Sequence, residues 1–464
     1  MIEILGPLFD FSSFINCKKR KEKEKHLLLD NSNLKDKRVK LIGYPITTYE
    51  KDKTKYAFYD KELFNYVTNH LIDMNDTVKL NKLNYREKPE IILDYTKNVF
   101  GELKIKINYK KRLSNKRKLL EKNKNSNNII FIFLDNLSRV HFYRQYKKTS
   151  DFLKKFFKYE GFKVKHKNNV YHAFEFLKYH KFKKYTLNNI IPMFSGVNFH
   201  PKYKMISILD EFKKNGYITC NVQDICHKEL TKIGPLKGYR YIEFDHEFSA
   251  PSCDPNIYNE GYGFFIGNNG VLRKCLYGKE IFEHCVNYAK QFWEVYKDNK
   301  KFLRIANSYA HEYSGEKSKY ADDSLYNFLH ELFSTNHIEN TSIFITADHG
   351  LVGLFGIYRL LNAKDYESEI ALPIFILIVP DQKNSSYNKQ YSEIAKNQNN
   401  LVTPFDIYYT LQHILYGNNY KKSPENGDIK DGESVFKYIN PKERTCKKYK
   451  KEINNECICV KNKS

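Results

Sequence analysis

Two apolar runs in this chain of 464 residues each end in an aspartate. Asp135 directly follows Asn128–Leu134, and Asp348 directly follows Thr341–Ala347 and precedes His349. A carboxylate at the end of a buried strand is costly unless it is paired or binds a metal. Carboxylate oxygens and an imidazole nitrogen are ligands that suit Zn²⁺ or Mn²⁺. The pattern therefore predicts a metal site that includes Asp135, Asp348 and His349.

A simpler interpretation of the second aspartate stays open. Asp348 would cap a helix, and His349 would be an ordinary loop residue. Gly350 follows and lets the backbone turn sharply. The tripeptide alone does not decide between a metal site and a helix cap.

A hydroxyl group at a predicted helix start lies between the two aspartates in the chain. Thr186 begins this segment, and Asn189 follows three residues later. A hydroxyl in this position can cap backbone N–H groups. Beside a metal it would lose its proton more easily and attack a phosphorus or sulfur centre. The helix N-terminus and Asn189 would then stabilise the anionic oxygens of the substrate.

Two arginines follow Asp135 closely. Arg139 and Arg144 could hold a substrate anion through bidentate hydrogen bonds. They could equally be structural partners of buried carboxylates. Both interpretations stay open at the level of the sequence.

The elements that must position these residues are strands alternating with helices. The predicted strands are Asn128–Leu134, Gly216–Val222, Phe302–Ser308, Thr341–Ala347 and Leu372–Val379. The predicted helices cover residues 144–158, 202–215, 281–296, 322–333 and 403–416. This alternation indicates a layered α/β fold, in which ligands bind outside the carboxyl ends of the strands.

The ordered motifs resemble the alkaline phosphatase and sulfatase superfamily. More narrowly, they are similar to an uncharacterised sulfatase-like family abundant in nematodes and insects. The matching stretches are Asp135–Arg139 with Phe142 and Arg144, Tyr185–Gly196, His311 with Asp322 and Asp323, Asn340–Gly350, Leu372–Pro373, Leu401–Asp406 with Thr410 and Leu411, and Cys446 with Cys457 and Cys459. They span about residues 128–460, in the order that the family shows.

This resemblance implies an α/β three-layer sandwich with a central, mostly parallel sheet. It also implies one divalent metal ion, Zn²⁺ or Mn²⁺ rather than Ca²⁺ or Mg²⁺, held by Asp135, Thr186, Asp348 and His349. Thr186 would be both ligand and nucleophile, and would form a covalent phospho- or sulfo-threonine. His311 occupies the place of a substrate-binding or acid–base histidine in related transferases. The expected substrate is a small-molecule or a glycan- or lipid-linked anionic ester.

Departures from the family pattern narrow this expectation. No Cys-x-Pro-x-Arg motif occurs, which disfavours ordinary sulfate ester hydrolysis. The only histidine after the Asp-His-Gly motif is His413, inside a helical pattern, which favours one metal over two. Leu351 and Val352 stand where relatives often have an arginine. The alternative is therefore a catalytically degenerate protein that binds an anionic glycan, a lipid ligand or a protein partner.

The formal net charge of +24 is spread along the chain. No zinc finger or aromatic-interleaved basic stripe accompanies it, so we expect solvated surfaces and no nucleic-acid partner. The charge is compatible with an anionic substrate. The chain has no run of about 18 consecutive apolar residues, so we expect no transmembrane segment in it.

Nine cysteines bear on the compartment. The eight after Cys17 fit four disulfides in an oxidising environment, and buried thiols or a zinc site are the alternatives. The first interpretation predicts the secretory pathway or the extracellular space, where the sequons at Asn75, Asn340 and Asn384 permit glycosylation. The predicted organisation is a divergent N-terminal region (1–125), a catalytic domain (126–440) and a cysteine-containing tail (441–464).

Overall fold

The computed structural model describes the parts of the chain that build the predicted catalytic region. The described residues are 46–50, 53–57, 126–158, 161–164, 170–198, 207–224, 244–248, 275–276, 279–311, 316–335, 338, 340–350, 363–381, 391–420, 432–446 and 457–458. Most of the predicted N-terminal region lies outside these residues. So do Cys17, Cys226, Cys253, Cys459, Leu351 and Val352.

A sheet of eight strands forms the centre of the protein, in the order β4-β5-β12-β11-β3-β10-β6-β7. The strands are β3 (Asn128–Leu134), β4 (Phe162–Lys163), β5 (Val170–Glu175), β6 (Ile218–Gln223), β7 (His246–Phe248), β10 (Lys301–Asn307), β11 (Thr341–Thr346) and β12 (Phe375–Asp381). The strands from β11 through β3, β10 and β6 to β7 are parallel, whereas β12, β5 and β4 pair antiparallel. Two short ribbons, β1 (Ile46–Glu50) with β2 (Lys53–Ala57) and β8 (Cys275–Leu276) with β9 (Lys279–Glu280), are separate from this sheet.

The central strands are apolar throughout because both faces of the sheet are covered. Alternate side chains of β3 enter two different cores. Ile130 and Ile132 face the first core, while Phe131 and Phe133 face the second. This arrangement confirms the predicted three-layer α/β fold with a mostly parallel sheet.

Helices form the two outer layers. They are α1 (Arg139–Gln145), α2 (Lys147–Leu153), α3 (Thr186–Ser195), α4 (Ile208–Lys214), α5 (Ile281–Val295), α6 (Asp322–Ser334), α7 (Ala363–Ala371), α8 (Tyr391–Asn397) and α9 (Pro404–Tyr416). Buried side chains of α2, α5 and α6 belong to the first core, and those of α3, α4 and α9 to the second. Short 3-10 turns cover Tyr309–His311, Glu316–Ala321 and Gly417–Asn419. Among the described residues, no helix has the length and apolarity needed to cross a membrane.

The first helix after β3 departs from the prediction. The sequence predicts a single helix over residues 144–158, but α1 ends at Gln145, and α2 covers only Lys147–Leu153. Tyr146 between them has φ −96° and ψ 62°, outside the helical region. A residue far away in the sequence stabilises the start of α2. Asp322 accepts hydrogen bonds from the backbone N–H groups of Lys148 and Thr149.

The C-terminal tail is attached to the domain at two places. The Ile458 N–H donates to His180 Nε2 over 3.3 Å. Arg444 forms a buried ion pair with Asp406 at 2.8 Å. Within the tail, a disulfide joins Cys446 to Cys457, which agrees with the interpretation that favours disulfides.

Candidate metal and nucleophile site

The parallel pairing of three strands creates the site. In the register of the sheet, Leu134 at the end of β3 pairs with Asn307 of β10, and Phe133 pairs with Thr346 of β11. The residues that follow these strands therefore emerge at the same edge of the sheet. The Asp135 N–H donates to the Asn307 carbonyl over 2.9 Å, and this hydrogen bond fixes the position of the Asp135 backbone beside the end of β10.

Three side chains meet at this edge with ligand atoms all within 4.8 Å of one another. They belong to Asp135, Asp348 and His349, and all three residues are buried. The Asn136 N–H donates to Asp348 Oδ1 over 3.1 Å, from a backbone with φ 63°. The site therefore contains two carboxylates and one imidazole, as the sequence predicts.

The histidine presents a nitrogen to the two carboxylates. His349 Nδ1 lies 2.9 Å from the Gly350 carbonyl, which can only accept, so Nδ1 donates. In the neutral ring, Nε2 then carries a lone pair and lies 3.0 Å from Asp348 Oδ2. No group among the described residues donates a hydrogen bond of normal geometry to this oxygen. A cation between Nε2 and Oδ2 would satisfy both atoms.

The pKa shifts of the two carboxylates also favour a cation at this site. Burial and the neighbouring charge of Asp348 raise the pKa of Asp135. Burial also opposes ionisation of Asp348, but the protonated form of the His349 ring beside it holds the pKa of Asp348 below its usual range. Two buried carboxylates this close need positive charge beside them. The donor set of two carboxylates and an imidazole fits a divalent ion such as Zn²⁺ or Mn²⁺.

Thr186 brings its hydroxyl to this cluster from the start of α3. Its Oγ1 lies 3.4 Å from Asp135 Oδ1 and 3.2 Å from His349 Nε2. Tyr185 occupies the N-cap position of α3, so the helix-cap interpretation of Thr186 does not describe the structure. The hydroxyl points at the cluster from the positive end of a ten-residue helix.

His311 reaches the same cluster from the third strand. It ends the 3-10 turn that follows β10, and its Nε2 lies 3.2 Å from Asp135 Oδ1. Its ring meets the His349 ring edge-on, with the centroids 6.2 Å apart. The structure therefore brings together five of the predicted residues: Asp135, Thr186, His311, Asp348 and His349.

The structure gives Asn189 a different role from the predicted one. The sequence predicts that its amide stabilises anionic oxygens of the substrate, but the amide is fully buried and holds the loop before α3. Its Oδ1 accepts from the N–H groups of Phe182 and Lys183, at 2.6 and 3.1 Å. Its Nδ2 donates to the carbonyls of Lys183 and Tyr185. All of the hydrogen-bonding positions of this amide are thus used to shape the loop that carries Thr186.

Arg139 and Arg144 both form ion pairs with carboxylates of the protein itself. Arg139 forms an ion pair with Glu175 at 2.7 Å, and Arg144 forms one with Glu369 at 2.5 Å. Glu369 also accepts a hydrogen bond from the Ser138 hydroxyl. Of the two interpretations left open by the sequence, the ion pairs favour structural partners of carboxylates over groups that hold a substrate anion.

His413 lies away from the site, as its helical pattern indicates. It is buried in α9, with Nδ1 2.9 Å from the Ser434 hydroxyl and its ring stacked on Tyr420. Burial, with the nearby charge of Lys437, lowers its pKa to about 4. Its role is to pack the second core.

One polar residue at the same edge of the sheet, Asp224, has no sequence signal of comparable strength. Asp224 follows β6 and is fully buried at the same edge of the sheet, where it contacts Asn307 and Ser308. The only hint in the sequence is a carboxylate shortly after a predicted strand, a common arrangement.

The chain belongs to a family described as "Protein of unknown function (DUF229)", whose model matches residues 20–464. No curated protein matches the chain in sequence.

Several solved structures are similar to the chain. A protein in the alkaline phosphatase superfamily from Vibrio parahaemolyticus is 15% identical, with 69% of this chain and 72% of that chain covered and a TM-score of 0.43. The C-terminal periplasmic domain of EcEptC from Escherichia coli is 12% identical, with 68% and 90% covered and a TM-score of 0.42. The lipoteichoic acid synthase LtaP from Listeria monocytogenes is 14% identical, with 68% and 76% covered and a TM-score of 0.43.

Proposed function

We propose that this chain is a metal-dependent phosphoester hydrolase or phospho-group transferase that acts on an anionic substrate through Thr186. The observation that carries the proposal is the convergence of the Thr186 hydroxyl with two buried carboxylates and two imidazoles. Asp135, Asp348 and His349, with Thr186, would hold one divalent ion. When bound, this ion would neutralise the carboxylates, favour the deprotonated hydroxyl and polarise the phosphoryl oxygens.

The residues of the chain account for each bond and proton. Thr186 loses its proton to solvent, and its Oγ1 attacks phosphorus as the bond from phosphorus to the leaving oxygen breaks. His311, held at Asp135, acts in its imidazolium form and gives the proton on Nε2 to the leaving oxygen, which leaves a neutral ring. In the second step, water or an acceptor alcohol gives its proton to His311 and attacks phosphorus. The bond between phosphorus and Oγ1 then breaks, and the ionised Thr186 is restored.

The substrate class and the compartment belong to the same proposal. An anionic ester linked to a glycan, a lipid or a small molecule suits a basic chain, whose net charge is +24. The disulfide between Cys446 and Cys457 supports the secretory pathway or the extracellular space.

The test is turnover of para-nitrophenyl phosphate, its phenyl phosphodiester and its sulfate, with Zn²⁺ or Mn²⁺ added to metal-free protein. We expect metal-dependent release of nitrophenol, with the phosphate esters preferred. Thr186→Val keeps the branched shape without the hydroxyl and should abolish turnover, whereas Thr186→Ser should retain part of it. Mass spectrometry of acid-quenched protein should find one phosphoryl group on Thr186.

Two outcomes would overturn the proposal. Equal turnover by wild type and Thr186→Val would exclude this nucleophile. A folded wild type that binds metal but releases no nitrophenol from any ester, and takes up no phosphoryl group, would favour the binding protein that is the alternative.

A further inference from the structure

Asp224 has a buried carboxylate, and both of its oxygens accept hydrogen bonds from Asn307 and Ser308 at the end of β10. Its Oδ1 accepts from the Ser308 N–H at 2.9 Å and from the Ser308 hydroxyl at 3.0 Å. Its Oδ2 accepts from Asn307 Nδ2 and from the Ser308 N–H, both at 3.1 Å. Asp224 is 0% exposed, and a carboxylate buried to this degree is stable only with such donors. The donors at Asn307 and Ser308 therefore compensate the buried charge of Asp224, and the carboxylate in turn fixes the conformation of the chain at these two residues.

The carboxylate also decides which way the Asn307 amide faces. A carboxylate only accepts, so Asn307 must turn its Nδ2 towards Asp224. Its Oδ1 then faces the Tyr309 N–H at 3.2 Å and the Tyr146 hydroxyl at 3.3 Å. With the amide reversed, two acceptors would face each other at Asp224, and the Tyr309 N–H would face a donor. Asp224 therefore fixes the side chain that caps the 3-10 turn Tyr309–His311.

This turn leads directly to the proposed site. The Asn307 carbonyl accepts from the Asp135 N–H at 2.9 Å, and the Ser308 carbonyl accepts from the His311 N–H at 2.9 Å. On the other side, Asn136 Nδ2 donates to the Ala310 carbonyl at 3.0 Å. The turn is thus tied to both residues of the pair formed by His311 Nε2 and Asp135 Oδ1.

We propose that Asp224 is a positioning residue, which sets the place of His311 against Asp135 by fixing the turn at Asn307 and Ser308. This inference rests on the proposed function for the role of His311, but not for the geometry of the turn. Asp224 acts through Asn307, the last residue of β10, and through Ser308, which follows it.

The decisive variants change hydrogen bonding at nearly constant shape. Asp224→Asn leaves one acceptor oxygen and puts an N–H₂ group against the Asn307 amide. The double variant Asp224→Asn with Asn307→Asp reverses donor and acceptor, so the amide at position 224 donates to the carboxylate at position 307. Net charge is unchanged in the double variant, and the donors at Tyr309 and Tyr146 still meet an oxygen. Ser308→Ala is a milder change that removes only the hydroxyl contact.

Asp245→Asn is the matched control. Asp245 is also a buried aspartate, and it accepts from the Thr219 N–H at 2.9 Å and from the Thr219 hydroxyl at 3.2 Å. Asp245 lies beside the beginning of β6, at the opposite end of that strand from Asp224. Its loss should reduce stability without a change in catalysis.

Two readouts separate positioning from a merely structural role. For para-nitrophenyl phosphate, Asp224→Asn should lower kcat about 10- to 100-fold with little change in KM. The double variant should recover most of this loss, and Ser308→Ala should show a smaller loss of kcat. Hydrogen exchange of the Tyr309 and His311 amides should accelerate in Asp224→Asn and slow again in the double variant. Asp245→Asn should leave both readouts at the wild-type level.

An Asp224→Asn variant with lower stability but wild-type kcat and wild-type exchange at His311 would overturn the inference. A double variant no better than the single one would also count against it. If wild type shows no turnover, the proposed function fails, and the exchange rates alone decide whether Asp224 fixes the turn. If Asp224→Asn does not fold, the double variant and Ser308→Ala decide in the same way.

Discussion

Gly350 lies so close to the main chain of Glu369 that a Cβ on the glycine would sit 1.7 Å from the Glu369 carbonyl oxygen. The Gly350 N–H also donates to the Ile370 carbonyl at 2.9 Å. Because the obstructing atom belongs to the backbone of α7, no side-chain rotation can relieve the contact. The glycine after His349 is therefore needed for a close approach of two backbone segments.

Gly350→Ala should consequently destabilise the protein and displace His349. We expect a loss of about 2 kcal/mol or more of unfolding free energy and weaker binding of Zn²⁺. Denaturant unfolding and calorimetric metal titration measure the two effects. Gly417→Ala is the control: its φ is +61°, but nothing lies within 4 Å of the added Cβ, so only backbone strain of about 1–2 kcal/mol is expected there. Wild-type metal affinity in Gly350→Ala would contradict the assigned packing.

Zn²⁺ or Mn²⁺ should stabilise the wild-type protein and leave Asp135→Asn unaffected. At a free metal concentration 100 times Kd, the gain should be about 2.7 kcal/mol. Without metal, Asp135→Asn should be at least as stable as wild type, because the substitution removes a buried charge beside Asp348. Thermal unfolding after exhaustive dialysis against chelator, with and without added metal, checks both expectations. A metal-induced shift of equal size in the variant would remove Asp135 from the ligand set.

The pH dependence of stability should contain a contribution from His413. Its pKa is about 4 in the folded protein and about 6.5 when unfolded. Between these values the unfolded chain binds the extra proton, so the contribution is fully present above pH 6.5 and is lost as pH falls towards 4. His413→Phe keeps the ring stacked on Tyr420 but cannot titrate.

The two stability curves should therefore run parallel above pH 7 and converge or cross below pH 6.5. Since one pKa unit corresponds to 1.36 kcal/mol, the difference between them should change by about 3 kcal/mol down to pH 4. Urea unfolding at half-unit pH intervals provides the measurement. Curves that stay parallel down to pH 4 would mean that His413 is accessible to protons in the folded state.

Removal of the disulfide should loosen the loop that leads to Thr186. Cys446 and Cys457 are 11 residues apart, and closing a loop of this size stabilises by about 3 kcal/mol. Cys457 packs against the cluster of Phe182, Leu401 and Phe405, while the Ile458 N–H donates a hydrogen bond to His180. In the variant with serine at both cysteines, we expect lower stability and faster hydrogen exchange over residues 177–183. Unchanged exchange there would show that the tail does not restrain the loop.

The sequence predicts those parts of the structure that local pattern determines. β3 has the expected bounds, because a seven-residue apolar run leaves little choice of element or length. α9 begins as expected, because Thr403 and Asp406 form a capping box around Pro404. The gathering of Asp135 and Asp348 follows from parallel pairing, which places the carboxyl ends of β3 and β11 side by side.

What the sequence misses depends on partners far away in the chain. The break at Tyr146 is accompanied by hydrogen bonds to Asn307 and, at the start of α2, to Asp322, more than 150 residues later. The use of Asn189 to hold the preceding loop depends on the path of that loop, which residue type alone does not give. Asp224 is recognisable only once β6 and β10 are known to be neighbours.

The central place of β3 has a consequence for the order of folding. Its two neighbours, β10 and β11, begin 173 and 213 residues after Asn128, so both pairings close very long loops. Such contacts form slowly, because the chain entropy is lost before the pairing is gained. Asp135 emerges from the ribosome long before Asp348 and His349 exist. The proposed metal ligands can therefore assemble only after β11 has paired with β3, and binding of a metal would be a late step that stabilises a nearly complete sheet.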